Sequence, residues 1–337
     1  MEAGEGRARA PSSRGGSVPA RRRIAVDVAD AVPDHAAGGR GSLVPARPRG
    51  QGGRANAVRG GPLGSPPDRQ QGDRGGPALP ADRDRGLNPV WFDTHCHLHV
   101  VEEEVAIEGV VRSAHAGGVF EMVAIGIDVP SSRRALEIAR EFGLRSSAGM
   151  HPNSADGWNP QARTEIEELL RDDVVVAVGE TGLDNYWDTV APEIQVPAFR
   201  DHIELAKEYD KALVIHTRRS LEGALDLLEE TGPPERFVFH CWQGKIPGLE
   251  RALEMGAHIS FAGNVWSKKA VRRVPAGRYM VETDSPYLTP EPHRGERNQP
   301  LYVADVGAAV AAARGEPVHD VARNTTATAR RFFGIEG

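Results

Sequence analysis

Val174-Val175-Val176-Ala177-Val178-Gly179-Glu180 is a continuous apolar run that ends in a carboxylate. A run without the polar alternation of a half-exposed strand belongs to a strand buried on both faces, as in a parallel sheet covered by helices. On both sides of it, short β-branched runs alternate with charged, helically periodic ones. Residues 90–97, 120–127 and 145–150 read as strands upstream, and 212–216, 236–241, 257–261 and 279–284 downstream. Between them the pattern predicts helices over 102–115, 131–142 (with Ser131 as N-cap and Gly143 as stop), 161–171, 192–209, 221–230 and 246–255. Two more, 301–314 and 318–333, finish the chain.

Eight strands, each followed by a helical or loop connection, are what a (β/α)8 barrel needs. An open doubly wound sheet gathers its ligands at one switch point. Here metal-type side chains stand at the ends of strands one, four, five, six and eight: His95 and His97, Glu180, His216, His240 and Asp284. Only a closed barrel brings such scattered strand ends around one mouth. The expected fold is an α/β (β/α)8 barrel over residues 89–337, preceded by a disordered tail.

That tail, residues 1–88, is rich in Gly, Pro and Arg, has no Lys, and shows no sustained apolar period. Such a stretch cannot bury enough apolar surface to offset the entropy of ordering its backbone. Residues 1–90 hold 15 Arg against 9 Asp plus Glu, a net of +6, so with −6 overall the remainder carries −12. An acidic catalytic region accepts divalent cations, and a basic tail brushes polyanions without sequence preference. An over-extended start codon in a G+C-rich gene gives the same composition without any function. This second reading is favoured, because no motif with a mechanism occurs there.

Other classes are excluded by composition. No run of about 18 apolar residues exists, so no membrane span is expected. The N-terminal apolar stretch is broken by Asp27 and Asp30, unlike a signal peptide. Two cysteines, Cys96 and Cys241, cannot make a disulfide framework, and free thiols fit the reducing cytoplasm. Cys96 lies between two histidines and should face away from them as a small buried residue. Nothing in the sequence assigns an oligomeric state.

His95 and His97 are two residues apart in a strand, so both point at one small volume. Alone, a His-x-His pair is more often surface or core histidine than a ligand pair. Six metal-type residues at the same end of five strands are another matter, because that end is where barrel enzymes keep their chemistry. Imidazoles and carboxylates are what a hard or borderline divalent metal takes, and this set suffices for two ions sharing one carboxylate.

The motifs His95-Cys96-His97-Leu98, Gly179-Glu180-Thr181-Gly182-Leu183-Asp184, Ile215-His216-Thr217-Arg218, His240-Cys241-Trp242-Gln243-Gly244, Glu282-Thr283-Asp284-Ser285-Pro286-Tyr287-Leu288 and Arg297-Asn298-Gln299-Pro300 resemble, in order, the signatures of the TatD family of metal-dependent hydrolases and DNases. The resemblance runs from about Trp91 to Gly334 and covers none of the tail. It implies a TIM barrel holding two divalent ions, Mg2+, Mn2+ or Zn2+, and hydrolysis of DNA phosphodiesters, often as a 3′ to 5′ exonuclease. By the same resemblance His95, His97 and Asp284 hold one ion, His216 and His240 the other, and Glu180 bridges them. Lys-bridged relatives have no counterpart here, since no Lys precedes Lys207. The implied mechanism is in-line attack by an activated water, with Asp284 also accepting a proton. His151 resembles the family's substrate-side histidine, and Arg218 is a second candidate for a substrate phosphate.

The chain departs from the family at His99 and Arg219, where Asp is usual, at Trp242, where Phe is usual, and at Thr328, where Asn is usual. None of these is an expected metal ligand, and the first two make the mouth more positive. The competing expectation is a metal-dependent esterase on the same barrel, acting on the aminoacyl bond of a mischarged tRNA. The same ions polarise a carbonyl as readily as a phosphoryl oxygen. A third, an inert barrel behind a nucleic-acid-binding tail, sits poorly with a complete ligand set.

Overall fold

The apolar run 174–180 becomes the core of β4 (Val175–Asp184). The computed structural model describes residues 89–263 and 267–335, so segment 1–88, expected to be disordered, lies outside the described residues. Before β4 come β1 (Trp91–Cys96), α1 (Leu98–Glu102), α2 (Ile107–Ala116), β2 (Val119–Ala124), α3 (Val129–Phe142), β3 (Arg145–Ala148), a 3-10 turn (Pro152–Gly157) and α4 (Pro160–Leu170). After it come α5 (Pro192–Glu208), β5 (Ala212–Arg218), α6 (Leu221–Thr231), β6 (Phe237–Phe239), α7 (Ile246–Glu254), β7 (His258–Phe261), α8 (Lys268–Arg273) and β8 (Tyr279–Val281). A 3-10 turn (Pro300–Tyr302), α9 (Val303–Arg314) and α10 (Val318–Phe333) complete the fold.

The strands pair in sequence order, all parallel, into one eight-stranded sheet. Backbone hydrogen bonds join its edges: Asp284 N–H donates to the His95 carbonyl at 2.9 Å and His97 N–H to the Ser285 carbonyl at 2.8 Å. Side chains reinforce this seam. The Asp93 carboxyl accepts from Thr283 N–H (2.9 Å) and Thr283 Oγ1 (2.5 Å), and Thr94 Oγ1 donates to the Val281 carbonyl (3.0 Å). Burial pushes the Asp93 carboxyl up to about 8, against the pull of those hydrogen bonds.

Alternation along the strands sorts the core into two layers. Phe92, Val123, Ile125, Val176, Val214, Val238 and Met280 fill the inside of the barrel. Phe332 and Phe333 of α10 join this inner cluster, Phe333 stacking on Phe92 with ring centroids 5.9 Å apart. The other faces, with Val175, Val178, Leu213, Ile215 and Ile259, pack outward against the helices. Each fully buried aliphatic or aromatic side chain contributes roughly 1.5–3 kcal/mol.

Two expectations are corrected. The helix expected over 102–115 starts only at Ile107, and a separate short helix, α1, ends at Glu102, because the Glu103-Glu104 pair that follows puts negative charge at a helix C-terminus, where the dipole opposes it. Glu102 is instead gripped by Arg134 of α3. The cap of α3 is Asp128, which accepts from Ser131 N–H at 2.8 Å, while Ser131 Oγ accepts the Asp128 N–H at 3.0 Å. Ser131 is thus the inner half of a capping box. Among the described residues no helix is long and apolar enough to cross a membrane.

Candidate metal centre

Glu180 lies at the point where β4 departs from regular pairing. Val178 pairs with Leu213 but Thr181 pairs with Ile215, so β4 carries one extra residue there. Bulges of this kind re-aim a side chain. Gly179 (φ 129) and Gly182 (φ 137) make the path possible, since a Cβ would lie 2.6 Å from the Val214 carbonyl oxygen at the first and 2.1 Å from that of His216 at the second. The strand then runs on to Asp184.

Around Glu180 the six expected ligands converge. His95 Nε2 and His97 Nε2 are 3.2 Å apart; each lies 3.4–3.5 Å from Glu180 Oε2, and they lie 3.6 and 3.2 Å from Asp284 Oδ1. On the other carboxylate oxygen, Oε1, His240 Nε2 stands at 2.8 Å and His216 Nδ1 at 2.9 Å, the two nitrogens 3.4 Å from each other. All six side chains are buried or nearly so. Asp284 reaches in from a left-handed backbone (φ 56), which Asp tolerates better than most residues. Cys96 turns to the opposite face, its Sγ donating to the Val123 carbonyl at 3.3 Å.

These donors suit a cation. A tetrahedron with arms of about 2.1 Å has edges of about 3.4 Å, and the five separations that His95 Nε2 and His97 Nε2 make with each other, with Glu180 Oε2 and with Asp284 Oδ1 run from 3.2 to 3.6 Å. Two imidazole nitrogens facing each other across 3.2 Å and aimed at the same carboxylates are joined sensibly by a positive charge between them. Electrostatics point the same way. Burial favours a neutral Glu180, yet the imidazoles of His240, His151 and His216 outweigh it and hold its carboxyl well below the ordinary range. Burial likewise opposes charge on Asp284, but His97 and His95 keep it low. His240, against burial, is raised well above its usual value by Glu180 and Glu282, and His216 is raised by Asp184 and Glu180. The cluster calls for positive charge at its centre.

His151 is brought to the same place and differs in kind. Its Nδ1 accepts the Asn153 N–H at 3.1 Å, which puts the ring proton on Nε2, 3.6 Å from Glu180 Oε1. Burial, with the neighbouring His216, lowers its pKa to about 3, so the ring is a neutral N–H donor aimed into the site. Arg218, at the end of β5, lines the same cleft of about 490 Å³ but lies over the ring of Tyr186, 3.8 Å from its centroid.

Two site carboxylates are absent from the expected set. Asp184 Oδ2 is 3.1 Å from His216 Nε2, and Glu282 Oε1 is 3.3 Å from His240 Nδ1. The second contact is ionic, since the ring N–H is not aligned for a hydrogen bond and Glu282 accepts the Cys241 N–H instead, at 2.6 Å. Both carboxylates lie behind histidines, as groups that orient metal-ligating rings do. The available signal is period two: Glu180 and Asp184, like Glu282 and Asp284, are an even number of residues apart.

Residues 92–334 match the family described as TatD related DNase. This chain belongs to the TatD family. Among curated relatives it is 35% identical over 252 residues to the uncharacterized metal-dependent hydrolase YabD of Bacillus subtilis, covering 72% of this chain and 99% of that one. It is 33% identical over 242 residues to a protein of Klebsiella pneumoniae named 3′-5′ ssDNA/RNA exonuclease TatD, covering 67% and 91%. The crystal structure of YJJV, a TatD homolog from Escherichia coli, superposes with a TM-score of 0.68 at 25% identity, over 73% of this chain and 98% of that one. The TatD-family match leaves the Arg-rich segment outside and contains every residue of the cluster.

Proposed function

We propose that this TatD-family hydrolase cleaves phosphodiester bonds in DNA, from a 3′ end, with two divalent cations at the Glu180 cluster. The observation that carries the reading is the placement of the two Glu180 oxygens, one among His95, His97 and Asp284, the other against His216 and His240. A carboxylate shared in this way lowers the repulsion between two neighbouring cations. Bound ions would neutralise phosphoryl oxygens and lower the pKa of water at the site. Glu180 would be the residue shared between them. Asp284 would hold one ion and, kept ionised by its histidines, would accept a proton from the attacking water. His151 donates its Nε2–H to a non-bridging oxygen of the substrate, and Arg218 pairs with a phosphate. The DNA end is also the reading that the exonuclease name of the Klebsiella relative supports. We place the reaction in the cytoplasm, where the buried thiols Cys96 and Cys241 stay reduced.

End-labelled single-stranded DNA and aminoacylated tRNA, each incubated with Mg2+, Mn2+ or Zn2+ and with chelator, separate the two hydrolase readings. The expected result is metal-dependent shortening of DNA from its 3′ end, abolished in Glu180→Gln. DNA intact with every metal while the ester is cleaved overturns the nuclease in favour of the deacylase.

A further inference from the structure

The cluster occupies the floor of the cleft and leaves part of its wall without a role. On the loop after β4, Tyr186 and Trp187 stand 39% and 51% exposed. Two guanidiniums lie against Tyr186, Arg218 Cζ at 3.8 Å and Arg219 Cζ at 4.7 Å from the ring centroid, and Arg218 is also 5.4 Å from the Trp187 ring. Successive residues of a strand point to opposite sides. Two neighbouring arginines reach one ring here because Arg219 turns into the left-handed region (φ 55), a conformation that non-glycine residues seldom take. Neither guanidinium meets a carboxylate among the described residues, whereas on the outer helices Arg134 grips Glu102, and Arg251 is held by Glu222, Asp226 and Glu229. The lip is tied to the floor through Asp184. Its Oδ1 accepts the backbone N–H groups of Tyr186 and Trp187 at 2.8 and 3.2 Å, and its Oδ2 holds His216.

We propose that this lip is a substrate subsite, in which the open face of Trp187 stacks an unpaired nucleobase while Arg218 and Arg219 hold the adjoining phosphate of a single strand whose scissile bond lies over Glu180. The proposal deepens the phosphodiesterase reading and rests on it. Stacking on an aromatic face tolerates any base, because every base has a π-face. A guanidinium lying on an aromatic ring keeps its N–H edge free for phosphate oxygens. A paired base cannot offer its face, so the subsite selects single strands.

The test is a binding comparison on the full chain, with chelator present so that nothing is cut. Fluorescence anisotropy compares a labelled single-stranded oligothymidylate with a strand of the same length and charge that carries abasic sites. The base-bearing strand is expected to bind at least about fivefold more tightly. Trp187→Ala removes that preference and Trp187→Phe keeps it. Arg219→Gln lowers the slope of log affinity against log salt by about 0.7, the share of one phosphate contact on a single strand. Equal affinities in the unaltered protein, or a preference that survives Trp187→Ala, overturn the proposal. The phosphodiesterase reading fails by a different observation, end-labelled DNA left intact with every divalent metal.

Discussion

On the His95–His97 side of the cluster, the two ring nitrogens at the end of β1 stand 3.2 Å apart and 3.2–3.6 Å from the carboxylates of Glu180 and Asp284, whereas on the His216–His240 side Glu180 Oε1 and two ring nitrogens meet at 2.8–3.4 Å. The first side has both its carboxylates, Glu180 and Asp284, inside the donor set. Nδ1 of His95 and of His97 lack a hydrogen-bond partner among the described residues, as does Nδ1 of His240, which instead has the Glu282 carboxylate at 3.3 Å. The second side has Asp184 and Glu282 behind the rings and His151 and Arg218 nearby in the cleft. A cage with its charge inside is built to keep a cation. On the two-ion reading proposed above, a pair of oriented rings that opens on the cleft would present one to substrate.

The largest effect should come from breaking the closed side. His97→Ala is expected to lower turnover by about a thousandfold or more, with loss of an ion that excess metal does not restore. Elemental analysis after dialysis, read beside the rate, checks it. Full activity regained in millimolar metal would make the two sides alike. A smaller loss is expected from Asp184→Asn, which leaves every donor in place but removes the charge behind His216. On the two-ion reading proposed above, the ion at His216 and His240 should bind about 10- to 100-fold more weakly, so activity falls at low metal and recovers at high metal. An unchanged metal titration would show that Asp184 does not orient the ring.

The smallest effect on the site concerns its support. His202 is fully buried on α5, where its Nε2 accepts the Met150 N–H at 3.0 Å and its Nδ1 lies 2.7 Å from the Ala198 carbonyl. This fixes the backbone next to His151. Burial lowers the pKa of His202 from 6.5 to about 4. Between those values the unfolded chain binds the extra proton, so this group's stability is present above pH 6.5 and lost as pH falls towards 4. The loss is about 3 kcal/mol. Urea unfolding across that window should show a shallower acid limb in His202→Gln than in the unaltered chain. Parallel limbs would remove the histidine from the account.

The barrel is legible in the sequence wherever chemistry and hydropathy coincide. Each apolar run that ends in His, Glu or Asp marks a strand and a site position together, and 174–180 is the clearest case. What escapes is polar structure inside the mouth. Thr181-Gly182-Leu183-Asp184 has the composition of a turn, yet it continues β4 because two glycines let it pass against β5. Asp184 therefore joins the cluster instead of a loop. Glu282 is hidden for the complementary reason, since a carboxylate beside Asp284 reads as more of the same motif until His240 is seen in front of it. α8 escapes on length, six residues being too few to establish a helical period. The tail's expectation concerns residues outside those described.

Three of the four donors of the closed side, His95, His97 and Asp284, come from the two ends of the barrel's circuit. His95 belongs to β1, Asp284 follows β8, and the Asp93–Thr283 bond beside them spans 190 residues of sequence. Any ion gripped there is also a clasp on the seam. Binding to the folded chain alone adds about 2.7 kcal/mol at a hundredfold excess over the dissociation constant, and that increment falls where the first and last strands of the barrel are joined. On the two-ion reading catalytic readiness and the completion of the barrel share one lock, and the supply of divalent metal would become a term in how long the folded chain endures.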